Sequence, residues 1–270
     1  MLGLVMGKII GVISIKGGVG KTTTVSNLAA VLSQDFNQKV LLIDANFSAP
    51  NIAYHLGIEE FKFGLHDVLA DKIPASEAII THKEGFDVIP AMFENRKIDV
   101  FDLKNKINHL KDKYDIILLD SSPNLTDEIL ATMVAADELY AITSPDIPTL
   151  KCTVHAVKAA NKKKATISGI ILNKVRNKSF ELSLEQIEHA VGVPVLAVLP
   201  DNDVILEALS KSTTASLYKP NEDFSVEYKK LAGALINQEY NDSRLLTKMK
   251  GLFKKQPKQE INRIAYMKGL

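Results

Sequence analysis

Short runs of apolar residues, rich in β-branched side chains, alternate along the chain with longer segments in which apolar residues recur at helical spacing. The apolar runs predict strands at 8–15, 39–44, 86–89, 114–120, 138–143, 166–172 and 194–199. The segments between them predict helices near 22–34, 64–70, 98–111, 125–136, 148–161, 183–191, 202–210 and 223–238. Alternation of this kind is typical of consecutive βαβ units. Because several strands are apolar throughout, we predict an α/β fold with a doubly wound, mostly parallel sheet and helices on both faces.

The residues after the first predicted strand are candidates for a site, because ligands of open parallel sheets bind beyond the carboxyl ends of the strands. The strand leads into Lys-Gly-Gly-Val-Gly-Lys-Thr-Thr, residues 16–23. The glycines of this segment allow the tight backbone path that directs successive N–H groups inward, which makes an anion site at a helix N-terminus. Lys21 can reach the outer phosphates of a nucleotide there, and the Thr22 hydroxyl can bind Mg²⁺. A simple glycine turn would explain the glycines but not the Lys-Thr pair that opens the helix.

The composition fits one large core, since the chain has 270 residues and 46% of them are hydrophobic. The net charge of +1 gives no overall reason to expect a nucleic-acid protein, but the charge is unevenly placed. Residues 241–270 carry eight Lys and Arg against two acidic residues, a net charge of +6, which leaves −5 on residues 1–240. We therefore divide the chain into a globular domain, 1–240, and a basic tail, 241–270.

No apolar run approaches the roughly 20 residues that cross a bilayer, and the N-terminal residues lead directly into a strand pattern. We therefore expect a soluble, cytoplasmic protein. Cys152 is the one cysteine, which excludes an intramolecular disulfide and any metal site built from several thiolates of one chain. It lies in a predicted helix and is expected to be an ordinary packed thiol.

The phosphate-loop segment carries a family resemblance. Residues 16–22 match the deviant motif Lys-Gly-Gly-x-Gly-Lys-Thr at every position, and this motif does not require the glycine that the usual pattern places at Ile15. Over roughly residues 8–238 the chain resembles the MinD/ParA family of P-loop ATPases, and it is closest to MinD-like proteins. The resemblance implies a P-loop NTPase fold of the SIMIBI type, with ATP and Mg²⁺ as cofactors. In that family the first lysine, Lys16 here, crosses a dimer interface to the other subunit's nucleotide, which implies an ATP-dependent homodimer.

The resemblance also implies roles for three residues at predicted strand ends. Asp44 and Asp120 would hold Mg²⁺ through water, together with Thr22. Asn46 stands where the family has a second acidic residue that orients or activates the attacking water. An amide can hydrogen-bond a water but cannot accept its proton. Because phosphoryl transfer depends mainly on positioning and charge neutralisation, we expect slow hydrolysis rather than none.

The base of the nucleotide has its own candidate residues. Asn173 matches the family position at which an asparagine pairs with adenine, although an ordinary turn residue stays open as an alternative. The segment 199–203 resembles the loop that forms a wall around the base. The predicted catalytic residues are Lys16, Lys21 and Asn46. The predicted nucleotide-binding residues are Gly17, Gly18, Val19, Gly20, Lys21, Thr22, Thr23, Asn173, Pro200 and Asp201.

The basic tail contains an amphipathic pattern. Leu245, Met249, Leu252 and Phe253 fall on one stripe of a helix, with Lys and Arg on or near its flanks. Residues 244–255 thereby predict an interfacial helix on an anionic membrane, and they resemble the C-terminal membrane-targeting helix of MinD proteins. Packing on its own domain and binding to nucleic acid stay open as alternatives. The apolar stripe favours lipid over a phosphate backbone.

Taken with the resemblance, these features predict an ATPase that dimerises with ATP and cycles on and off the inner face of the cell membrane. It would position cell-division or other cellular machinery, together with an unidentified activator or cargo protein. The alternative is a ParA-like, DNA-associated partition ATPase. A metal-cluster carrier of the same superfamily is disfavoured by the lone Cys152, and a scaffold that barely hydrolyses ATP is kept open by Asn46.

Overall fold

Eight strands form a single sheet in the computed structural model, which describes residues 7–93, 98–244 and 256–270. They are β1 (Lys8–Ile13), β2 (Val40–Ala45), β3 (Ile80–Thr81), β4 (Asp87–Ile89), β5 (Ile116–Ser121), β6 (Glu138–Thr143), β7 (Ile167–Val175) and β8 (Val195–Pro200). Their order across the sheet is β3-β4-β2-β5-β1-β6-β7-β8. Neighbouring strands are parallel except for the antiparallel edge pair β3–β4.

Helices of the described residues cover both faces of this sheet. They are α1 (Lys21–Phe36), α2 (Ile52–Leu56), α3 (Leu65–Leu69), α4 (Leu103–Ile107), α5 (Asp127–Ala135), α6 (Ile147–Lys162), α7 (Leu184–Val191), α8 (Val204–Ser210), α9 (Ala215–Tyr218) and α10 (Asp223–Leu235). A further helix, Lys258–Met267, is called the C-terminal helix here.

The predicted α/β fold with a mostly parallel sheet is confirmed, and every predicted strand lies within about three residues of an observed one. The prediction of one helix over 98–111 is wrong, because α4 is flanked there by two 3₁₀ helices, Val100–Asp102 and Asn108–Asp112. The sequence missed β3, α2 and α9, which have two to five residues each. Elements this short carry too little periodicity to be recognised.

The core explains why the strands are apolar throughout. On β1, Ile10 and Val12 pack into a cluster with residues of α1 and α10, whereas Ile9 packs into a second cluster on the opposite face. Residues that alternate along a strand point to opposite faces, so a sheet covered on both sides needs apolar residues at every position.

The C-terminal helix packs on β8 and α10. Arg263 is only 4% exposed, and its guanidinium lies 2.7 Å from Glu227 Oε1 while it donates to the Leu196 carbonyl at 2.8 Å. The Tyr266 hydroxyl donates to Glu138 Oε2 at 2.8 Å. Residues 256–270, which the sequence assigned to the tail, therefore contact the domain directly. The division at residue 240 stays a prediction.

The amphipathic segment of the tail lies almost entirely outside the described residues, since 245–255 are not described. Arg244, which precedes it, pairs with Asp242 at 2.9 Å and with Asp223 at 2.8 Å. Of the helices in the described parts of the chain, none combines the length and apolar character that crossing a membrane requires. The chain on both sides of 245–255 is thus fixed to the domain, at Arg244 and at the C-terminal helix.

Replacing Arg263 by methionine is expected to lower the free energy of unfolding by about 2 to 3 kcal/mol, because it leaves a buried carboxylate without its cation. This loss is smaller than the roughly 3 to 5 kcal/mol that breaking a buried ion pair usually costs, because the Val198 N–H still donates to Glu227 Oε1 at 3.0 Å. Urea unfolding followed by circular dichroism measures it. Lys211→Met, which removes an exposed lysine bonded to Glu207 and Tyr218, is the matched control and should leave the stability almost unchanged. Equal losses in the two variants would contradict the role of Arg263.

Candidate functional site

A cleft of about 560 Å³ opens at the carboxyl ends of the strands. Its walls come from the loop after β1, the start of α1, the segment after β2, the end of β7 and the loop between β8 and α8. Predicted site residues that line it are Gly17, Gly18, Gly20, Lys21, Thr22, Thr23, Asn46, Asn173, Pro200 and Asp201. The sheet topology therefore brings together residues that are more than 150 positions apart in the chain.

The loop before α1 depends on glycine for its backbone path. Gly18 and Gly20 have φ angles of 76° and 95°, in the left-handed region that favours glycine. At Gly20 a side chain would also collide with β7, since a Cβ atom would lie 2.4 Å from Asn173 Nδ2. The Asn173 amide donates to the carbonyl of Val19 at 2.8 Å, and the Lys174 amine donates to that of Gly18 at the same distance. The end of β7 thus braces the phosphate loop.

Lys21 and Thr22, at the start of α1, face a buried carboxylate. Lys21 is 7% exposed, and its pKa is lowered by burial, which the charge of Asp120 partly offsets. The Thr22 hydroxyl donates to Asp120 Oδ2 at 2.6 Å. The other Asp120 oxygen, Oδ1, is buried and has no hydrogen-bond partner in the described chain. This places a cation in the wall of the cleft, close to a carboxylate that is fully buried and has one unpaired oxygen among the described residues.

Asp44 and Asp120 are direct neighbours across the parallel pair of β2 and β5. The pKa of Asp44 is raised to about 7, mainly by burial and then by the charge of Asp120. Three backbone N–H groups that donate to Asp44 act in the opposite direction. Burial also raises the pKa of Asp120 to about 6, although the hydrogen bond from the Thr22 hydroxyl and the charge of Lys21 lower it. Two buried carboxylates on adjacent strands repel each other when both are ionised, so the pair favours a bound cation.

The oxygen atoms around this pair fit Mg²⁺. Besides Asp120 Oδ1, the buried side-chain oxygens of Asn46, Ser121 and Ser122 have no hydrogen-bond partner in the described ranges. Mg²⁺ prefers hard oxygen ligands and takes few of them from the protein, sharing the rest with phosphates and water. Thr22 and Asp120 would hold the ion directly or through water, with Asp44 behind them, and the ion would supply charge neutralisation of the phosphates.

Replacing Asp44 by asparagine is expected to remove about 1 to 3 kcal/mol of pH-dependent destabilisation from the nucleotide-free protein at about pH 8, a gain that is set against the loss of a backbone N–H bond that the second carboxylate oxygen accepts. The folded-state pKa of Asp44 is raised, so the folded protein keeps a proton that the unfolded chain gives up, and its stability falls as pH rises from about 4 to above 7. The asparagine has no proton to lose. Chemical unfolding without Mg²⁺ at two pH values measures the difference.

The gain from Asp44→Asn should shrink at about pH 5, where Asp44 is already protonated. Asp112→Asn, at an exposed position, is the control and should show no such dependence on pH. A loss of stability in Asp44→Asn that is the same at both pH values would contradict the assignment of a strained carboxylate pair.

Asp44 also connects the cleft to α2. Its Oδ2 accepts from the backbone N–H groups of Asn51 at 2.9 Å and Ile52 at 3.0 Å, at the start of that helix. Asn46 is 3% exposed, and its amide donates to the Ala49 carbonyl in the same loop. Asp44 therefore joins the candidate Mg²⁺ site to the start of α2.

Lys16 lies beside the cleft but does not line it. Its amine is 2.7 Å from Thr149 Oγ1 and 3.5 Å from Asp146 Oδ1, at the N-terminus of α6. Despite partial burial, hydrogen bonds from Ser144 and Thr149 together with the charge of Lys16 lower the pKa of Asp146 to about 2. Asp146 is thus an ionised partner that contacts the amine of Lys16 outside the nucleotide cleft.

Several residues of the cleft were missed by the sequence analysis. Asn51, His55 and Arg176 line it, and the Arg176 guanidinium donates to Asp201 Oδ2 at 2.6 Å. No local pattern indicates them, because each depends on which loops the sheet order places side by side. Val19 contributes its carbonyl to Asn173, as described above, rather than lining the cleft.

Three features define a P-loop nucleotide-binding protein. They are the glycine loop between a buried strand and a helix, the buried Lys21 followed by Thr22 at the helix start, and the aspartate at the end of β5. The chain belongs to the CobQ/CobB/MinD/ParA nucleotide-binding domain family, whose model matches residues 10–215. This confirms the resemblance to MinD/ParA ATPases. ATP and Mg²⁺ are the cofactors that go with this family and with the oxygen ligands of the site.

Individual relatives agree with this assignment. An uncharacterised ATP-binding protein of Methanocaldococcus jannaschii is 30% identical over 230 residues, which cover 84% of this chain and 87% of that protein. The septum site-determining protein MinD of Synechocystis is 31% identical over 216 residues, 76% of this chain and 80% of its own. The structure of MinD from Pyrococcus horikoshii, complexed with Mg-ADP, superposes with a TM-score of 0.80 at 32% identity, covering 85% of this chain and 96% of that one.

Proposed function

We propose that this ATPase is an ATP-dependent switch: two copies associate when each binds ATP, and the dimer binds an anionic membrane surface. The observation that carries the proposal is the position of Lys16. Its amine contacts Asp146 and Thr149 outside its own cleft, and because this ion pair is half-exposed and weak, the amine could exchange it for the phosphates of a second copy that docks on this face. Dimerisation would then depend on the nucleotide that both protomers bind.

Membrane binding is proposed for residues 244–255, on the strength of their apolar stripe and basic flanks. One short amphipathic helix binds a bilayer weakly, whereas a dimer presents two and gains from their effective concentration. ATP would thereby control residence at the inner face of the cell membrane, and the ADP-bound monomer would return to the cytoplasm. The role we propose is the positioning of cell-division or other cellular machinery, with an activator or cargo protein still to be identified.

Slow hydrolysis is part of the proposal. Asn46 cannot accept a proton from the attacking water, and its amide is already bonded to the Ala49 carbonyl. The ATP state would therefore be long-lived until a partner accelerates turnover.

Co-sedimentation with anionic vesicles in ATP, ADP or no nucleotide tests the proposal, with duplex DNA as a parallel arm. The structure argues against truncating the tail for this purpose, because a deletion would remove the buried Arg263–Glu227 pair. Leu252→Glu is the better variant, and Ser243→Glu, at the edge of the segment, is its control. We expect the wild-type chain to bind lipid with ATP but not with ADP or without nucleotide, and we expect Leu252→Glu to lose this binding. Binding to DNA instead of lipid would support the partition ATPase. Lipid binding that depends neither on the nucleotide nor on Leu252 would refute the switch.

A further inference from the structure

His55 is a histidine in the wall of the nucleotide cleft that the family motifs do not explain. It lies in the last turn of α2, half-buried, and borders the cleft together with Thr23 of α1 and Ile205 of α8. Thr23 belongs to the wall that surrounds the phosphates, and α8 follows the loop assigned to the base. A residue that lines the cleft with both of these walls is placed for contact with the part of a nucleotide that joins phosphates to base, which is the ribose.

The hydrogen bonds of the ring determine what it can offer. His55 Nδ1 is 3.2 Å from the carbonyl oxygen of Asn51. A carbonyl oxygen can only accept, so Nδ1 carries a hydrogen and donates it. Burial lowers the pKa of His55, although this bond to Asn51 acts in the opposite direction, so the ring is neutral at pH 7. In a neutral ring with hydrogen on Nδ1, the other nitrogen, Nε2, is an acceptor.

Nε2 has no protein partner in the described part of the chain. An unpaired acceptor at the edge of the cleft suits a donor on the ligand and disfavours phosphate oxygens, which are themselves acceptors. Ribose hydroxyls are donors at the right part of the nucleotide. We infer that His55 Nε2 accepts a hydrogen bond from a ribose hydroxyl of the bound nucleotide, so that the site selects ribonucleotides over deoxyribonucleotides. This inference rests on the proposed function, since it requires nucleotide in the cleft.

The position of His55 also makes it sensitive to the switch segment. The start of α2 is bonded to Asp44, one of the two carboxylates of the candidate Mg²⁺ site. The ring is fixed to Asn51, which forms the first of those bonds. A ribose contact at His55 would therefore connect the sugar of the nucleotide to the same short helix that is bonded to Asp44 at the candidate metal site.

Titration calorimetry at pH 7.5 with Mg²⁺ and ATP, 2′-deoxy-ATP or 3′-deoxy-ATP tests the inference. We expect the wild-type chain to bind ATP about three- to tenfold more tightly than the analogue that lacks the contacted hydroxyl, the range for one neutral hydrogen bond. His55→Leu should bind ATP and that analogue equally. His55→Gln, whose amide oxygen can accept, should recover part of the preference.

Tyr54→Leu is the matched control, because Tyr54 is the adjacent residue of α2, is 77% exposed and does not line the cleft. It should keep the wild-type preference. If ATP binds and the wild-type chain does not distinguish the three nucleotides, the inference is wrong, and this result does not depend on any variant folding. Unchanged discrimination in a folded His55→Leu also overturns it. Failure of all three nucleotides to bind would instead refute the proposed function.

Discussion

Replacing Lys16 by glutamine is expected to abolish ATP-dependent self-association and to lower ATP turnover by about 10³-fold, the lower range for a cation supplied to a phosphoryl group in trans. The substitution keeps a hydrogen-bonding side chain of similar length but removes its charge. Because Lys16 is bonded to Asp146 and Thr149 and does not line its own cleft, binding of one ATP to one chain should change little. Light scattering with a non-hydrolysable ATP analogue measures the association, and phosphate release measures turnover.

Two further variants separate the role of Lys16 from a general effect of charge. Lys83→Gln removes an exposed lysine between β3 and β4 and should leave both readouts unchanged. Asp146→Asn keeps a residue that can cap α6 but removes the ionic partner of Lys16, so it should favour the dimer by a few-fold, in keeping with the small free energy of a half-exposed ion pair. A folded Lys16→Gln protein that dimerises normally in the ATP analogue would refute the proposal of a shared cation.

The phosphate loop could be predicted from the sequence because its chemistry is local. Residues 16–23 contain the glycines, the lysine and the threonine in one continuous segment, and the backbone requirement at Gly20 follows from its left-handed conformation. The apolar runs likewise determined the class of fold, since a strand covered on both faces cannot contain polar residues at alternate positions.

What could not be predicted depends on strand order. Asp44 and Asp120 were each recognised as strand-end carboxylates, but only the folded sheet buries them, which raises the pKa of both, and makes them neighbours across β2 and β5. The contact of Lys16 with Asp146 spans 130 residues and has no local signal. His55 was missed for the same reason, because its place in the cleft results from the packing of α2 against α1.

The C-terminal helix shows a different limit of sequence reasoning. Half of its residues are polar, and the sequence placed it in a basic tail with packing on the domain as one open alternative. The helix is fixed in part by polar contacts of its side chains, chiefly the buried pair of Arg263 with Glu227 and the half-buried bond of Tyr266 with Glu138. A charged residue that is buried against a partner from another element cannot be distinguished, in the sequence alone, from one that faces water.

Replacing Asn46 by aspartate is expected to raise the ATP turnover of the dimer by about 10²-fold, the lower range for general base catalysis by a positioned side chain. Asn46 is buried beside the cleft, and its Oδ1 has no partner within the described residues. A carboxylate there could orient the attacking water and accept its proton. Turnover of purified protein with ATP, Mg²⁺ and anionic vesicles measures the effect.

The same substitution should lower the stability of the nucleotide-free protein, which distinguishes a change in chemistry from a general improvement of the enzyme. The introduced carboxylate could not donate to the Ala49 carbonyl as the Asn46 amide does, and its charge would lie close to Asp44. Bound Mg²⁺ would offset that repulsion, so the loss of stability should be smaller with Mg²⁺ and nucleotide than without them. Asn46→Gln, which keeps the amide, is the control and should not gain activity. If Asn46→Asp hydrolyses ATP no faster than the wild-type chain, position 46 does not limit turnover, and the long-lived ATP state must be attributed to another part of the site.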